Sequence, residues 1–290
     1  MKMQRSSRPG SLGLLPTRQR GLTLVELMVA MALGLVILIA VVYVFAGSRA
    51  SHRHQESYST VQESGRIALE LMGRDLRMAG HTGCGNLGFL QHISAPINNP
   101  PLQMDVSFDD ATTITGTDNA AGTPDLVTLV AGSAESTALL SMPAPNEMEL
   151  TSVAALGTVN PGDLLLVSDC VFTEVVAVQA VAGNTLTLNP PPTRQYRPGS
   201  VVMRRQWTQY TVNPATRELQ RNGVAIAGGV TDMQLRYGVG DATRSATNYV
   251  TDPSTVAPTS IVAIKVDLTI ADGNVNRPFS STVTLRNRAP

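Results

Sequence analysis

A single carboxylate, that of Glu26, lies inside a run of 24 residues, 22–45, that is otherwise uncharged and almost entirely apolar. As a helix this run is about 36 Å long, enough to cross a hydrocarbon core of about 30 Å. A carboxylate in lipid costs of order a few kcal/mol and usually indicates a functional role. A lone charge of this kind in an apolar segment therefore makes Glu26 the first candidate functional residue of the chain.

The residues before this run predict its orientation in a membrane. The first 20 residues contain no acidic residue and five basic ones: Lys2, Arg5, Arg8, Arg18 and Arg20. Positively charged flanks stay in the cytoplasm, so the chain after Phe45 is predicted to lie across the membrane, with Tyr43 and Phe45 at its outer interface. Two other interpretations stay open. A secretory signal cut near Ala46 has an apolar region of only about 7–15 residues, and a plain uncleaved anchor would not need Glu26.

Gly21 separates the basic leader from the apolar run, and Glu26 stands at the fifth place after it. This pattern resembles the cleavage and assembly signal of type IV prepilins. The resemblance implies that a prepilin peptidase cuts between Gly21 and Leu22, that the leader 1–21 is removed, and that Leu22 is then methylated. The family usually has Phe where this chain has Leu22. Glu26 would then pair with the amine of Leu22, or with that of a neighbouring subunit's first residue, and set the axial register.

The helix is predicted to continue beyond the membrane segment. After a polar stretch, apolar and small residues recur at helical spacing up to Ala79, and Gly80 can end the helix. We therefore expect one helix over residues 22–80, of which 22–45 span the membrane. Gly65 and Gly73 weaken a helix locally, which would allow a kink near them.

The remaining chain is poor in aromatic and charged residues and rich in Gly and Pro, which favours a turn-rich β domain. Strands are predicted at 125–131, 147–153, 163–168, 172–181, 185–188, 201–212, 218–221, 224–227, 231–239, 261–270 and 278–285. Hairpin turns are expected at 161–162, 183–184, 221–223 and 271–274. A triple proline at 190–192 suggests two regions, an acidic loop and β insert over 81–193 and an antiparallel sheet over 194–290. The predicted fold class is α+β, with a long N-terminal helix packed on a mainly antiparallel β domain.

Charge is distributed unevenly between these two regions. Residues 78–193 contain no Lys or Arg but eleven acids, whereas residues 194–290 carry twelve basic and six acidic groups. A solvated acidic surface, a docking face that includes Asp109 and Asp110, or neutralisation within one subunit would each explain the pattern. Because the basic groups are dispersed, nucleic-acid binding is not expected.

Fragments along nearly the whole chain resemble the PilW family of minor type IV pilins: residues 63–69, 74–80, 83–84, 168–170, 234–238 and 284–288. The resemblance implies a low-abundance pilin that joins other minor pilins and the major pilin at the inner-membrane assembly platform, primes pilus assembly, and sits near the tip, often beneath an adhesin. It implies a single-pass inner-membrane protein with a periplasmic domain, and it transfers no catalytic residue. A minor pseudopilin of a type II secretion system and a membrane-anchored periplasmic binding module are the alternatives.

The two cysteines, Cys84 and Cys170, are predicted to form a disulfide in the oxidising periplasm. Free buried thiols are the alternative. All four histidines precede residue 93, and no nucleophile elbow or phosphate-binding loop is present, so neither enzymatic activity nor a cofactor is expected. The sequences Asp272-Gly273-Asn274 and Asp109-Asp110 contain calcium-type ligands, but surface turns explain them more simply.

Overall fold

The computed structural model describes residues 21, 23–83, 113–120, 122–170, 172–240, 245–257 and 260–287. The chain divides into two compact units, Met1–Arg53 and His54–Pro290. Helix α1 (Leu24–Met78) contributes to both. It ends where predicted, because Gly80 adopts a positive φ of 74° and the N–H of His81 donates to the Met78 carbonyl at 3.0 Å.

Thirteen strands are present in the described part of the chain. They are β1 (Ile114–Thr117), β2 (Leu126–Ser141), β3 (Glu147–Leu150), β4 (Leu164–Ser168), β5 (Thr173–Ala182), β6 (Thr185–Leu188), β7 (Val201–Asn213), β8 (Glu218–Arg221), β9 (Val224–Gly228), β10 (Val230–Gly240), β11 (Ala246–Val250), β12 (Ile261–Asp272) and β13 (Val275–Thr284). Short 3-10 helices cover Val153–Leu156 and Pro253–Thr255. The α+β fold class is thereby confirmed.

Nine strands form one antiparallel sheet in the order β1-β2-β3-β6-β5-β4-β7-β8-β9. Strand β2 also pairs with β7, which closes six strands (β2, β3, β6, β5, β4 and β7) into a ring. The 16-residue length of β2 makes this possible, because its register with β7 shifts between Gly132 and Ser136 and its end pairs with β3. Apolar residues of the six strands, among them Met148, Leu165 and Leu186, form a buried core of their own.

A second sheet has the order β11-β10-β12-β13. Its β12–β13 hairpin turns through Gly273 and Asn274, since Asp272 pairs with Val275. One larger core joins this sheet to strands β1, β2, β7, β8 and β9 of the nine-stranded sheet and to α1, which contributes Val61, Ala68, Met72 and Leu76. The part of α1 from residue 54 to residue 78 therefore belongs to the β domain.

The strands differ from the sequence prediction in several places. The strand predicted at 147–153 ends at Leu150, because a 3-10 helix begins at Val153, and the strand predicted at 278–285 begins at Val275. Strand β2 continues ten residues beyond its predicted end at Ala131, because β7 and then β3 supply hydrogen-bonding partners for a stretch that consists mostly of small and polar residues. Strands β1 and β11 were not predicted; both are short, at four and five residues. The triple proline does not separate two sheets, since β7, β8 and β9 follow it and belong to the nine-stranded sheet.

Candidate processing and assembly site

Thr23 sets the first turn of α1. Its hydroxyl oxygen accepts a hydrogen bond from the N–H of Glu26 at 3.3 Å, and its carbonyl accepts from the N–H of Leu27 at 3.2 Å. Threonine followed three residues later by glutamate is the capping-box pattern. The Glu26 carboxylate thus lies in the first helical turn, where the helix dipole stabilises a negative charge. This role of Thr23 was not predicted, although the Thr-x-x-Glu spacing before an apolar run is a local signal for it.

Gly21, the residue predicted to precede the cleaved bond, lies outside α1. A Cβ atom built on it meets no atom within 4 Å. The chain's own fold therefore does not require glycine at this position, and a requirement for glycine would come from an external partner. Leu22 lies outside the described residues, so its cleavage and methylation stay predictions.

The apolar residues of α1 between positions 24 and 45 have exposed side chains. Every residue from 24 to 53 is exposed in the unit to which it belongs, and the large apolar side chains of residues 24–45 are each at least 48% exposed. Within the described residues, α1 alone is long and apolar enough to cross a membrane. A hydrophobic surface of this extent must be covered by lipid or by other apolar helices.

The apolar run gives way to polar sequence at Phe45. The guanidinium of Arg49, the first charged residue after the run, lies 4.5 Å from the centre of the Phe45 ring. An aromatic ring beneath a cation is a common arrangement at a membrane interface, where one end of the contact is apolar and the other is hydrated. This geometry agrees with the predicted outer limit of the spanning segment.

Asp75 ties the outer part of α1 to the nine-stranded sheet. Its Oδ2 atom accepts a hydrogen bond from the Tyr210 hydroxyl and another from Nε of Arg221, each at 2.7 Å. Burial, followed by the bond to Asp75, raises the pKa of Tyr210, and the bond to Asp75 raises the pKa of Arg221. Tyr210 therefore stays a neutral donor and Arg221 stays charged. No local pattern predicts this trio, because Tyr210 and Arg221 lie 135 and 146 residues after Asp75 in the chain.

Gly65 has a packing role. The helix continues through Gly65 and Gly73 without interruption. A Cβ atom on Gly65 would lie 2.6 Å from the Phe279 ring of β13, so the missing side chain is what lets that ring approach the helix. Near Gly73 the closest β13 atom to such a Cβ is 3.7 Å away, on Val283, which is ordinary contact.

The end of α1 is held by the last described residue of the chain. The side-chain amide of Asn287 donates to the carbonyl of Ala79 at 3.2 Å and to those of Arg77 and Met78 at 3.4 Å. These belong to the carbonyls that a helix end leaves without an intrahelical partner. Nearby, the Gly80 N–H donates to the Val130 carbonyl of β2 at 2.9 Å, which attaches the helix end to the nine-stranded sheet.

Several acids of the region 78–193 are bound within their own domain. Asp163 forms a 2.8 Å ion pair with Arg204, and Glu174 accepts from the backbone N–H of Thr193 at 2.9 Å. Asp125 is buried and accepts from the Leu235 N–H at 2.8 Å, and burial raises its pKa. Internal neutralisation therefore accounts for part of the charge pattern. Asp109 and Asp110 lie outside the described residues, so a docking role for them stays a prediction.

Of the two cysteines predicted to form a disulfide, the structure describes Cys170. Cys170 is a disulfide cysteine with a positive φ of 69°, and its N–H donates to the Ser168 hydroxyl at 3.4 Å. Cys84 lies outside the described residues, so the Cys84–Cys170 pairing stays a prediction. As for metals, no group of three ligating side chains is present in the described ranges, and the sequence Asp272-Gly273-Asn274 belongs to the β12–β13 turn.

Residues 16–42 match the family model described as the prokaryotic N-terminal methylation motif. No curated protein and no solved structure matches the chain. The motif supports a type IV pilin-like or pseudopilin protein of structural kind, and it implies processing by a prepilin peptidase and assembly with pilus components. Together with the single apolar N-terminal helix, it fits a membrane-anchored pilin.

Proposed function

We propose that this chain is a minor type IV pilin of the PilW type that helps to prime pilus assembly and sits near the pilus tip with other minor pilins. The observation that carries the proposal is the methylation motif over residues 16–42, with Glu26 in the first turn of an exposed apolar helix. In this proposal the N-terminus stays in the cytoplasm, the β domain is periplasmic, and the protein acts as a structural subunit rather than as an enzyme.

The exposed surface of residues 24–45 supports assembly with similar helices. While the protein is in the membrane, lipid would cover this surface. In a filament, the equivalent helices of the major pilin and of other minor pilins would cover it. Glu26 would then pair with the amine of Leu22 or of a neighbouring subunit. The inner-membrane assembly platform is the proposed place where the subunit moves from the membrane into the filament. A tip adhesin is a further proposed partner.

The placement of the resembling fragments supports the PilW assignment. Asp75, in the fragment 74–80, binds α1 to the β domain through Tyr210. Asn287, in the fragment 284–288, binds the carbonyls at the end of α1. Leu235 and Tyr237, from the fragment 234–238, are buried in the core shared with α1. The fragments thus include residues that fix the helix on its domain.

N-terminal sequencing of the membrane-purified protein tests the processing step. We expect Leu22 as the first residue, and we expect Gly21→Val to keep the leader. Gly34→Ala, another position where a Cβ meets no atom within 4 Å, is the matched control and should be processed normally. A mature protein that began at Met1 or at Gly47 would contradict the proposal.

The pseudopilin alternative shares the methylation motif, so it requires a different test. Pull-down from detergent-solubilised inner membrane should recover other minor pilins, and deletion of the gene should lower pilus number while leaving type II secretion intact. Recovery of secretion-system components together with a secretion defect would instead identify a minor pseudopilin.

We also propose that Cys84 and Cys170 pair in the mature protein. Closing the loop between them would restrict the unfolded chain by up to about 4.5 kcal/mol on the loop-entropy model. Mass spectrometry of non-reduced peptides should find the two cysteines linked. Two free thiols in protein folded in the periplasm would exclude the disulfide.

A further inference from the structure

The start of α1 bears directly on the bond that the peptidase is proposed to cut. α1 begins at Leu24, Thr23 is its cap, and Gly21, whose carbonyl carbon the peptidase would attack, is not helical. In an α-helix each carbonyl is bonded to the N–H four residues later and is enclosed by the neighbouring turn. A peptide bond in that state must be unwound before its carbonyl carbon is open to attack.

The hydrogen bond of the Thr23 hydroxyl decides which state is favoured. If α1 extended one residue upstream, the Glu26 N–H would donate to the Leu22 carbonyl. With one residue more, the Val25 N–H would donate to the Gly21 carbonyl. Thr23 Oγ1 already occupies the Glu26 N–H at 3.3 Å, so the first of these bonds has a competitor. Because an unsatisfied N–H in lipid costs several kcal/mol, an uncapped helix in the bilayer is driven to extend upstream.

We propose that Thr23 is a positioning residue for processing: its hydroxyl makes Leu24 the first residue of α1 and thereby keeps the Gly21 carbonyl out of the helical hydrogen-bond pattern. The inference rests on the proposed function, since it needs a peptidase that cuts this bond. It assigns to Thr23 a role separate from that of Glu26, whose carboxylate is proposed to act later, during assembly.

The test is a time course of cleavage of the full-length protein in membrane vesicles that contain a prepilin peptidase. Thr23→Val keeps the shape of the side chain but removes the acceptor, and we expect cleavage to slow about five-fold, the rate equivalent of losing a typical N-cap. Thr23→Ser and Thr23→Asn restore an acceptor and should be cut within about two-fold of the wild-type rate. Thr60→Val is the matched control, because the Thr60 hydroxyl donates to the Glu56 carbonyl of the same helix at 3.1 Å and is far in sequence from the cleaved bond.

A second measurement separates positioning from general disruption of the helix. The carbonyl carbon of Gly21, labelled with carbon-13 in detergent micelles, should move toward its helical chemical shift in Thr23→Val and stay at the non-helical shift in the wild type and in Thr23→Ser. Equal cleavage rates for the wild type and Thr23→Val, with no change in the Gly21 shift, would overturn the inference while leaving the proposed function intact. If the wild-type protein itself is not cut at Gly21, the proposed function fails and the inference fails with it.

Discussion

The two parts of α1, residues 24–53 and residues 54–78, use their small and apolar residues in opposite ways. In the first part every residue is exposed, and Gly34 and Gly47 have open space around them. In the second part Val61, Ala68, Met72 and Leu76 are buried by strands of the same chain, and Gly65 faces the Phe279 ring. One continuous helix therefore serves two purposes. The first part needs partners or lipid from outside the molecule, and the second part obtains its partners from its own domain.

Substitutions in the exposed part of α1, residues 24–53, should have the strongest effect. Glu26→Ala and Glu26→Gln should leave processing and membrane insertion unchanged but lower incorporation into pili by about tenfold, because the amine partner loses its carboxylate. Pilus counts and immunoblots of sheared pili measure this effect. Gln is also accepted at this position of a capping box, so a normal pilus number for Glu26→Gln would show that the charge has no register role.

Core substitutions sharpen the contrast between the two parts. Leu76 is fully buried, so Leu76→Ala should lower the free energy of unfolding of the β domain by about 2–5 kcal/mol. Leu35→Ala, in the exposed part, should change it by less than about 0.5 kcal/mol. Urea unfolding in detergent, followed by fluorescence of Trp207, the only tryptophan, measures both. Equal effects of the two substitutions would contradict the division of roles.

The ionic attachment of the second part is expected to contribute less. Asp75→Asn leaves Arg221 without its anionic partner, and we expect a loss of about 1–2 kcal/mol, because Asp75 is largely buried while the Arg221 side chain is 37% exposed. Glu63→Gln is the control, since Glu63 and Arg66 form a pair whose side chains are both more than half exposed. Its effect on chemical unfolding should be close to zero. A result in which the control costs as much as Asp75→Asn would argue against a special role for Asp75.

Glycine substitutions give the smallest expected effect and the sharpest contrast. Gly65→Ala should destabilise the domain by about 1 kcal/mol, because displacing the Phe279 ring outweighs the gain in helix propensity. Gly47→Ala meets no atom and should leave the domain's stability unchanged. Combining Gly65→Ala with Phe279→Ala should remove the clash, so the two effects should not add in a double-mutant cycle of unfolding free energies. Additive effects would show that the ring does not require the glycine.

Local signals in the sequence predicted much of the fold. The apolar run, the helical spacing after it and Gly80 predicted α1 to within two residues at each end. The turn at Asn222 and Gly223 was also predicted, and both residues adopt positive φ, at 51° and 79°. These features succeed because each is decided by a few neighbouring residues. Thr23, three residues before Glu26, is a local signal of the same kind, and it marks the cap of α1.

Composition and short spacing were enough to predict the N-terminal region: a basic segment, Gly21 and an apolar helix with Glu26 in its first turn. Three other features depend on the folded chain: β2 pairs with β7 across the triple proline, Asp75 binds Tyr210 and Arg221, and Gly65 makes room for Phe279. These contacts join residues from about 70 to more than 200 positions apart. Nothing in the local chemistry of either partner identifies the other, so such pairs form only when the sheets bring them together.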